Sequence, residues 1–439
     1  MANEVDSGRV SIEDRTIRKV RIQIIPFIFL LYIVAFLDRI NIGFAALTMN
    51  KELAISSQQF GLLAGIFFFG YFLFEIPSNL LLHRIGARIW IARILISWGI
   101  VAVLTGFVHT VAHLYLARFL LGLAEAGYFP GILLYLTYWF RQREQAQAIA
   151  LFMTAIPVTS ILGAPVSGLI LDHAHWLGLG SWRWLLMLEG LPAIIFGIFT
   201  YFVLPTSPAE SKFLPREEKD WLTAELAREK QEKTSIHSGS AFRVLFHPRV
   251  WQLALISFTF QIGGYAIYFW MPQAVKSLSG LYSNTTVGFL VMVPYLAGLV
   301  PMILVSRSSD RRLERRYHIL IPAIVEGIAL MLLGTTNSTV PSIVLWSFAA
   351  MGNFCLLGPF WSLPNDFLTG PSAASGIALV TSIGSLGGFV GPYVVGAVAR
   401  AGGIYRGLAI VGISLFVSAT LALLLPGRAR ASNVPVGGA

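Results

Sequence analysis

Four charged side chains lie within long apolar runs of the sequence, where a charge is costly. Asp38 and Arg39 lie in the first run, and Arg118 and Glu125 lie in the fourth. Near the centre of a membrane helix, a charged side chain costs about 2.5–3.5 kcal/mol on insertion scales. Such residues face the interior of a helix bundle and mark substrate or ion pathways. These four residues are therefore the first candidates for function.

Their spacing indicates which of them can act together. Arg118 and Glu125 are seven residues apart, so on one helix they face the same way, about 10 Å apart along its axis. Gly122 lies between them on that face and leaves room for another group. Asp38 and Arg39 are adjacent and point about 100° apart, so each must find its own partner. The plainer interpretation, that the four charges form neutral pairs that only hold helices together, stays open.

Two arginines and two carboxylates around one cavity suit the proton-coupled transport of an anion. Arginine presents a planar fork of donors to a carboxylate and keeps its charge. Removal from water favours the protonated form of a carboxylic acid, so a buried carboxylate can take up and release a proton. We therefore predict that Arg39 and Arg118 bind the substrate anion and that Asp38 and Glu125 carry protons.

Six further residues are predicted to line the substrate site, because each places a hydroxyl, an amide or an aromatic ring within an apolar run. They are Tyr71, Gln261, Tyr265, Trp361, Thr381 and Ser385. Aromatic packing is the alternative for Tyr265, which lies on helical spacing with Tyr268.

Three more carboxylates lie in apolar runs. Glu75 is predicted to act as a gate or as a contact between helices, and Glu189 is expected near a helix end. Glu326 lies in the middle of the ninth run, and the sequence assigns it no role.

The apolar runs that carry these residues are long enough to cross a membrane. A hydrocarbon core about 30 Å thick requires roughly 20 apolar residues per helix. Twelve runs meet this requirement, six on each side of a polar stretch. The predicted spans are residues 22–48, 58–82, 90–110, 113–139, 146–171, 183–204, 251–275, 284–306, 318–335, 340–366, 372–399 and 404–425.

The composition supports a membrane protein. The chain has 439 residues, of which 56% are hydrophobic and only 12% are charged, whereas soluble domains carry about 25% charged residues. We predict an all-α membrane protein with 12 transmembrane helices in two six-helix bundles, at 22–204 and 251–425. The remaining segments are an N-terminal tail (1–21), a linker (205–250) and a C-terminal tail (426–439), all expected in the cytoplasm.

The distribution of Lys and Arg predicts this orientation. Twenty-five of the 32 lie in the tails, the linker and the other segments on the same side of the membrane. Five lie in loops on the opposite side: Lys51, Arg183, Lys276, Arg400 and Arg406. Because positive charge accumulates on the cytoplasmic side, both termini are expected there, in the inner membrane of a bacterium. The net charge of +10 therefore requires no nucleic-acid partner.

Matching glycine motifs suggest that the second half repeats the first. Gly163 to Gly168 in the fifth run resembles Gly391 to Gly396 in the eleventh, and each motif contains a proline. Duplicated halves are typical of secondary transporters.

Other classes of protein are disfavoured. The single cysteine and the positions of the eight histidines, in loops or near span ends, favour neither a metal site nor an enzyme. We expect no cofactor, and we expect a monomer because the duplicated bundle is sufficient by itself. The linker is too short to be the soluble domain of a sensor.

These residues carry a resemblance to a known family. The sequence resembles the major facilitator superfamily and, within it, the anion:cation symporter family of tartrate, phthalate and sugar-acid permeases. The resemblance covers nearly the whole chain. Its most specific pieces are Leu37 to Asn41, Phe74 to Asn79, Arg118 to Gly131, Phe269 to Gln273, Gly358 to Pro364 and Gly387 to Tyr393.

The resemblance implies the major facilitator fold and roles for individual residues. Residues that match Asp38 and Glu125 are associated with proton coupling, and those that match Arg39, Arg118 and Tyr71 with the substrate anion. This chain has Thr381 and Ser385 where the family often has asparagines.

The resemblance also implies a function. We expect proton-coupled uptake of a small organic anion such as tartrate or a related hydroxy or sugar acid, by alternating access. Two alternatives stay open. One is uptake of an aromatic carboxylate of the phthalate or hydroxyphenylacetate type. The other is exchange of protons for an organic anion, because the Gly163 to Gly168 segment resembles an antiporter motif.

Overall fold

The computed structural model describes residues 11–236, 245–367 and 370–425. Within these residues, twelve helical segments are long and apolar enough to cross a membrane, as predicted. The first six are formed by eight helices: α1 (Ile12–Glu52), α2 (Ser57–Ile85), α3 (Ala87–Thr105), α4 (Val111–Glu125), α5 (Tyr128–Thr137), α6 (Gln142–Met153), α7 (Ala155–His173) and α8 (Ser181–Val203). Helices α4 and α5 together form the fourth span, and α6 and α7 form the fifth.

The second half follows a helix in the linker, α9 (Arg216–Ile236). Its six spans are α10 (Pro248–Ser277), α11 (Asn284–Arg312), α12 (Arg316–Leu332), α13 (Thr339–Phe367), α14 (Gly370–Gly402) and α15 (Ile404–Leu423). The linker and the N-terminal part of α1 lie on one side of the bundle, which we call the linker side. The opposite side is called the far side.

The first helix begins at Ile12, before the predicted start of its span at residue 22. Ser11 caps it by accepting a hydrogen bond from the Asp14 amide at 3.1 Å. On the linker side, Arg15 and Lys19 pair with the buried carboxylate of Glu218 in α9, at 2.8 and 2.7 Å. Residues 12–21, predicted as part of a tail, are therefore helical, and Arg15 and Lys19 in this segment have a partner on the linker helix.

Among the described residues, the main contacts between the two halves are made by three pairs of helices. Helix α2 packs on α14, α7 packs on α11, and α1 packs on α10. Glycines at these contacts allow the backbones to approach closely. A Cβ atom at Gly61 would lie 2.5 Å from the Pro392 carbonyl oxygen, and one at Gly168 would lie 2.5 Å from that of Asn284. The repeated glycine motifs of the two halves thus lie in equivalent contacts between the halves.

Helix breaks position the charged residues of the first half. Gly127 separates α4 from α5 and has φ = 82°, a left-handed conformation that glycine adopts without strain. A Cβ atom there would also lie 2.7 Å from the Cβ of Ser78. The break makes Glu125 the last residue of α4, in the interior of the protein.

Candidate functional site

A cavity lies between the two halves and contains about 800 Å³ of space, part of it open to solvent. Both halves contribute to its wall. The predicted site residues that line it are Arg39, Tyr71, Gln261, Tyr265, Trp361, Thr381 and Ser385. The other three predicted residues, Asp38, Arg118 and Glu125, are buried and are not among the lining residues.

Arg39 is the cationic group of the cavity wall. Its guanidinium forms an ion pair with Glu125 and donates a hydrogen bond to the Tyr265 hydroxyl at 3.4 Å. It also lies over the rings of Tyr71 and Phe67, at 5.4 and 5.5 Å from their centroids. Only 7% of Arg39 is exposed. The guanidinium therefore connects the first half, through Glu125, with the second half, through Tyr265.

Glu125 lies on the protein side of Arg39. One of its carboxylate oxygens pairs with Arg39, and the other, Oε2, has no hydrogen-bond partner among the described residues. A proton on Oε2 would neutralise the carboxylate and weaken its hold on Arg39. The geometry therefore allows protonation of Glu125 to change what Arg39 can bind.

Asp38 and Arg118 form a second charged group, deeper in the first half. Asp38 accepts a hydrogen bond from Asn41 at 3.0 Å and is close enough to Arg118 and Glu125 to interact electrostatically. The Arg118 guanidinium lies 5.0 Å from the centroid of the Phe67 ring. Its Nε and Nη2 atoms have no hydrogen-bond partner within the described part of the chain.

The space beside Gly122 is not available to a substrate. The sequence predicted room there between Arg118 and Glu125, but the backbone of α2 fills it. A Cβ atom at Gly122 would lie 2.9 Å from the Phe67 carbonyl carbon and 3.0 Å from the Tyr71 nitrogen. Close packing of α2 on α4 thus separates Arg118 from the cavity in this conformation.

Two of the further carboxylates can now be assigned contacts. Glu75 lines the cavity and accepts a hydrogen bond from Ser382 of the second half at 2.7 Å, which confirms the predicted contact between helices. The expectation for Glu189 is wrong. It lies in the middle of α8, buried, and accepts a hydrogen bond from Ser167 at 2.8 Å.

The polar groups of the second half are partly satisfied by their own helices. The Thr381 hydroxyl donates to the Ile377 carbonyl at 3.0 Å, and Ser385 donates to the Thr381 carbonyl at 2.9 Å. Gln261 donates to the Ser257 hydroxyl at 3.0 Å. With these bonds in place, Thr381 and Ser385 can offer a substrate only acceptor lone pairs.

Aromatic rings form much of the remaining wall. Phe68 and Tyr265 are in contact with a centroid distance of 4.3 Å, Phe36 meets Tyr268 edge to face at 5.3 Å, and Phe129 meets Trp361 at 5.7 Å. Each pair joins the two halves. The amide residue Asn353 also lines the cavity and is absent from the sequence-based candidates, as is Tyr32. An amide inside an apolar run is the signal that would have found Asn353.

Comparisons with known proteins agree with this architecture. The family model described as Major Facilitator Superfamily matches residues 28–392. A protein of Agrobacterium vitis named "Putative tartrate transporter" is 45% identical over 415 residues, 94% of this chain and 92% of its own length. The "Quinolone resistance transporter" of Acinetobacter baumannii is 38% identical over 88% of each chain. A solved structure of a D-xylose-proton symporter is similar in fold, with a TM-score of 0.75 at 16% identity, over 93% of this chain and 99% of that one.

Proposed function

Because this chain belongs to the Major Facilitator Superfamily and is a multi-pass membrane transporter, not an enzyme, we propose that it takes up a small organic anion together with protons. The observation that supports an anion is the position of Arg39 in the wall of the central cavity. A guanidinium recognises a carboxylate with two parallel hydrogen bonds. It would repel a cation, so a cationic substrate is disfavoured.

Competition at Arg39 would couple the proton to the anion. Glu125 and a substrate carboxylate are both acceptors for the same guanidinium, and Glu125 already occupies part of it. Protonation of Glu125 would release Arg39 for the substrate, so that each ligand favours the binding of the other. This is a reciprocal coupling, as thermodynamic linkage requires.

Asp38 and Arg118 would form the second step of the proton path. They lie behind the cavity wall and interact electrostatically with Glu125. A proton that moves between Asp38 and Glu125 would change the charge around both arginines. Under this proposal Arg118 acts on the carboxylates, and the direct contact with substrate belongs to Arg39.

The first substrate class is a hydroxy-dicarboxylate such as tartrate. The name of the Agrobacterium relative supports this choice, and so do the acceptor groups of Thr381 and Ser385 in the cavity wall. A substrate hydroxyl could donate to them. Aromatic residues of the wall support the second candidate, an aromatic carboxylate. They include Phe36, Phe68, Phe129, Tyr265, Tyr268 and Trp361.

Orientation and direction complete the proposal. The Lys and Arg distribution supports cytoplasmic termini in a bacterial inner membrane. The cavity would then load from the far side and release substrate on the linker side as the two halves rock about it. Proton–anion antiport stays the alternative direction of coupling, and the name of the resistance-associated relative agrees with an export role.

Proton flux into liposomes tests the proposal. Purified protein is reconstituted with an internal pH dye, and tartrate, malate, galactonate, phthalate and hydroxyphenylacetate are added outside one at a time. Symport predicts saturable internal acidification with one chemical class of acid, and loss of that signal in Glu125→Gln. Asp220→Asn, at an exposed carboxylate of α9, is the matched control and should acidify as the wild type does. Internal alkalinisation would indicate antiport, and binding of an acid without any pH change would refute coupling.

A further inference from the structure

Glu326 is a buried carboxylate that the proposed mechanism does not use. It lies on α12, which packs mainly against α13 and α15, and none of its surface is exposed. It is not among the residues that line the cavity. A carboxyl group in this position is costly unless it is hydrogen-bonded, so its contacts indicate its use.

Glycines on the neighbouring helices make room for this carboxyl group. A Cβ atom at Gly263 of α10 would lie 2.9 Å from Glu326 Oε1, and one at Gly352 of α13 would lie 2.7 Å from Glu326 Cβ. The adjacent Gly264 faces the amide of Asn353. Larger residues at these places would displace both polar groups. The space is therefore matched to a carboxyl group beside an amide.

Two hydrogen bonds connect Glu326 with the cavity. The Asn353 amide nitrogen donates to Glu326 Oε1 at 3.4 Å, and the Tyr268 hydroxyl donates to the Asn353 amide oxygen at 3.3 Å. Both Asn353 and Tyr268 line the cavity. These hydrogen bonds thus form a chain from the interior of the second half to the substrate site.

The direction of these bonds follows from the chemistry of the carboxyl group. Oε1 accepts a hydrogen bond whether Glu326 is ionised or carries its proton on the other oxygen. With Oε1 as the acceptor, the Asn353 nitrogen faces Glu326, and the amide oxygen is turned toward Tyr268. Tyr268 then directs its only proton to Asn353 and leaves its oxygen lone pairs for the cavity.

We propose that Glu326 is a positioning residue that, through Asn353, makes the Tyr268 oxygen an acceptor for a substrate hydroxyl. The site would then select hydroxyl-bearing carboxylates over acids of the same skeleton without the hydroxyl. A site built to bind a hydroxyl group discriminates against an analogue that lacks it, because a buried polar group is left unpaired. This inference rests on the proposed function, since it takes a small organic anion as the ligand.

Equilibrium binding of tartrate and succinate to the purified protein tests the inference, because the two acids differ only in their hydroxyl groups. Wild-type protein should bind tartrate more tightly. In Glu326→Met, a variant of similar length, tartrate affinity should fall about 2- to 12-fold, the effect of one hydrogen bond, while succinate affinity stays unchanged. Glu326→Gln keeps an acceptor and should restore the preference. Tyr268→Phe should reproduce the loss, and the double variant with Glu326→Met should lose no more.

The outcomes separate this inference from the proposed function. Thermal unfolding reports whether each variant is folded, and Asn353→Leu interrupts the same hydrogen-bond chain if Glu326→Met does not fold. Equal weakening of both acids in these variants, or wild-type preference in Tyr268→Phe, overturns the inference alone. Equal binding of tartrate and succinate by the wild type also overturns the inference alone. Because binding is measured without a proton gradient, failure of proton coupling leaves the result intact. Wild-type protein that binds neither acid overturns the proposed function and the inference with it.

Discussion

At the Arg39 guanidinium, Glu125 and the proposed substrate anion would compete for one set of hydrogen-bond donors. Glu125 holds the guanidinium from the protein side, Tyr265 holds it from the second half, and the cavity offers the remaining access. Removal of one partner from a buried charge pair has a large effect because the other charge is left unpaired. Single substitutions at this group therefore give separable outcomes, each with its own measurement.

Arg39→Ala should weaken binding of the anion by at least about 30-fold, because it removes a desolvated charged partner. Arg118→Ala should have a smaller effect on affinity, since Arg118 does not line the cavity, and should instead impair proton-driven uptake. Binding and uptake measured on the same preparations distinguish the two roles. Equal loss of affinity in both variants would return Arg118 to the substrate site.

Glu125→Gln should bind the anion as well as or better than the wild type, and with affinity independent of pH. In the wild type, the competition for Arg39 determines the direction of the pH dependence. Because a proton on Glu125 frees Arg39, the affinity for the anion should rise as the pH falls. Titration calorimetry in acidic and alkaline buffers measures both. A pH-dependent affinity that persists in Glu125→Gln would assign the coupling to another group.

Asp38→Asn should abolish uptake driven by a proton gradient while exchange of labelled for unlabelled substrate survives. The reason is that exchange requires the binding site and the conformational change, but not the release of a proton. Counterflow in proteoliposomes measures it. Loss of exchange together with loss of binding would make Asp38 a structural residue.

Between elements, a helix cap on the far side connects the two halves. Asp172, near the end of α7, accepts hydrogen bonds from the backbone amides of Asn284 and Thr285 at 3.1 and 2.7 Å, at the beginning of α11. A carboxylate there satisfies unpaired donors and complements the helix dipole. The same side chain therefore stabilises a helix end and the contact between the halves.

Asp172→Ala should shift the protein toward conformations open on the far side, by about 5-fold if the cap contributes about 1 kcal/mol. Spin-label distances between α7 and α11 measure the shift. Ser56→Ala removes a comparable cap at the beginning of α2, within the first half alone, and should leave the distances unchanged. An unchanged distance distribution in Asp172→Ala would mean that backbone packing alone closes this side.

For the whole molecule, orientation in the membrane decides which helix ends and loops face the cytoplasm. Leu281 lies in a far-side loop and is 95% exposed, whereas Lys212 lies in the linker and is also exposed. In intact cells, an impermeant maleimide should label Leu281→Cys but label Lys212→Cys only after lysis. The native Cys355 is buried and gives a low background. The reverse pattern would invert the proposed topology.

The sequence by itself determined the twelve spans and seven of the residues that line the cavity. Apolar length and the cost of membrane charges are local properties, so Arg39, Glu125 and three aromatic residues could be recognised without coordinates: Tyr71, Tyr265 and Trp361. Only the tertiary structure decided which charges face the cavity. Arg118 and Arg39 are both arginines within apolar runs of the sequence. The close approach of α2 to α4 at Gly122 nevertheless places Arg118 behind Phe67. The role of Glu326 likewise depended on Asn353 and Tyr268, which lie on two other helices. Contacts between distant segments depend on packing, and packing has no signature in the local sequence pattern.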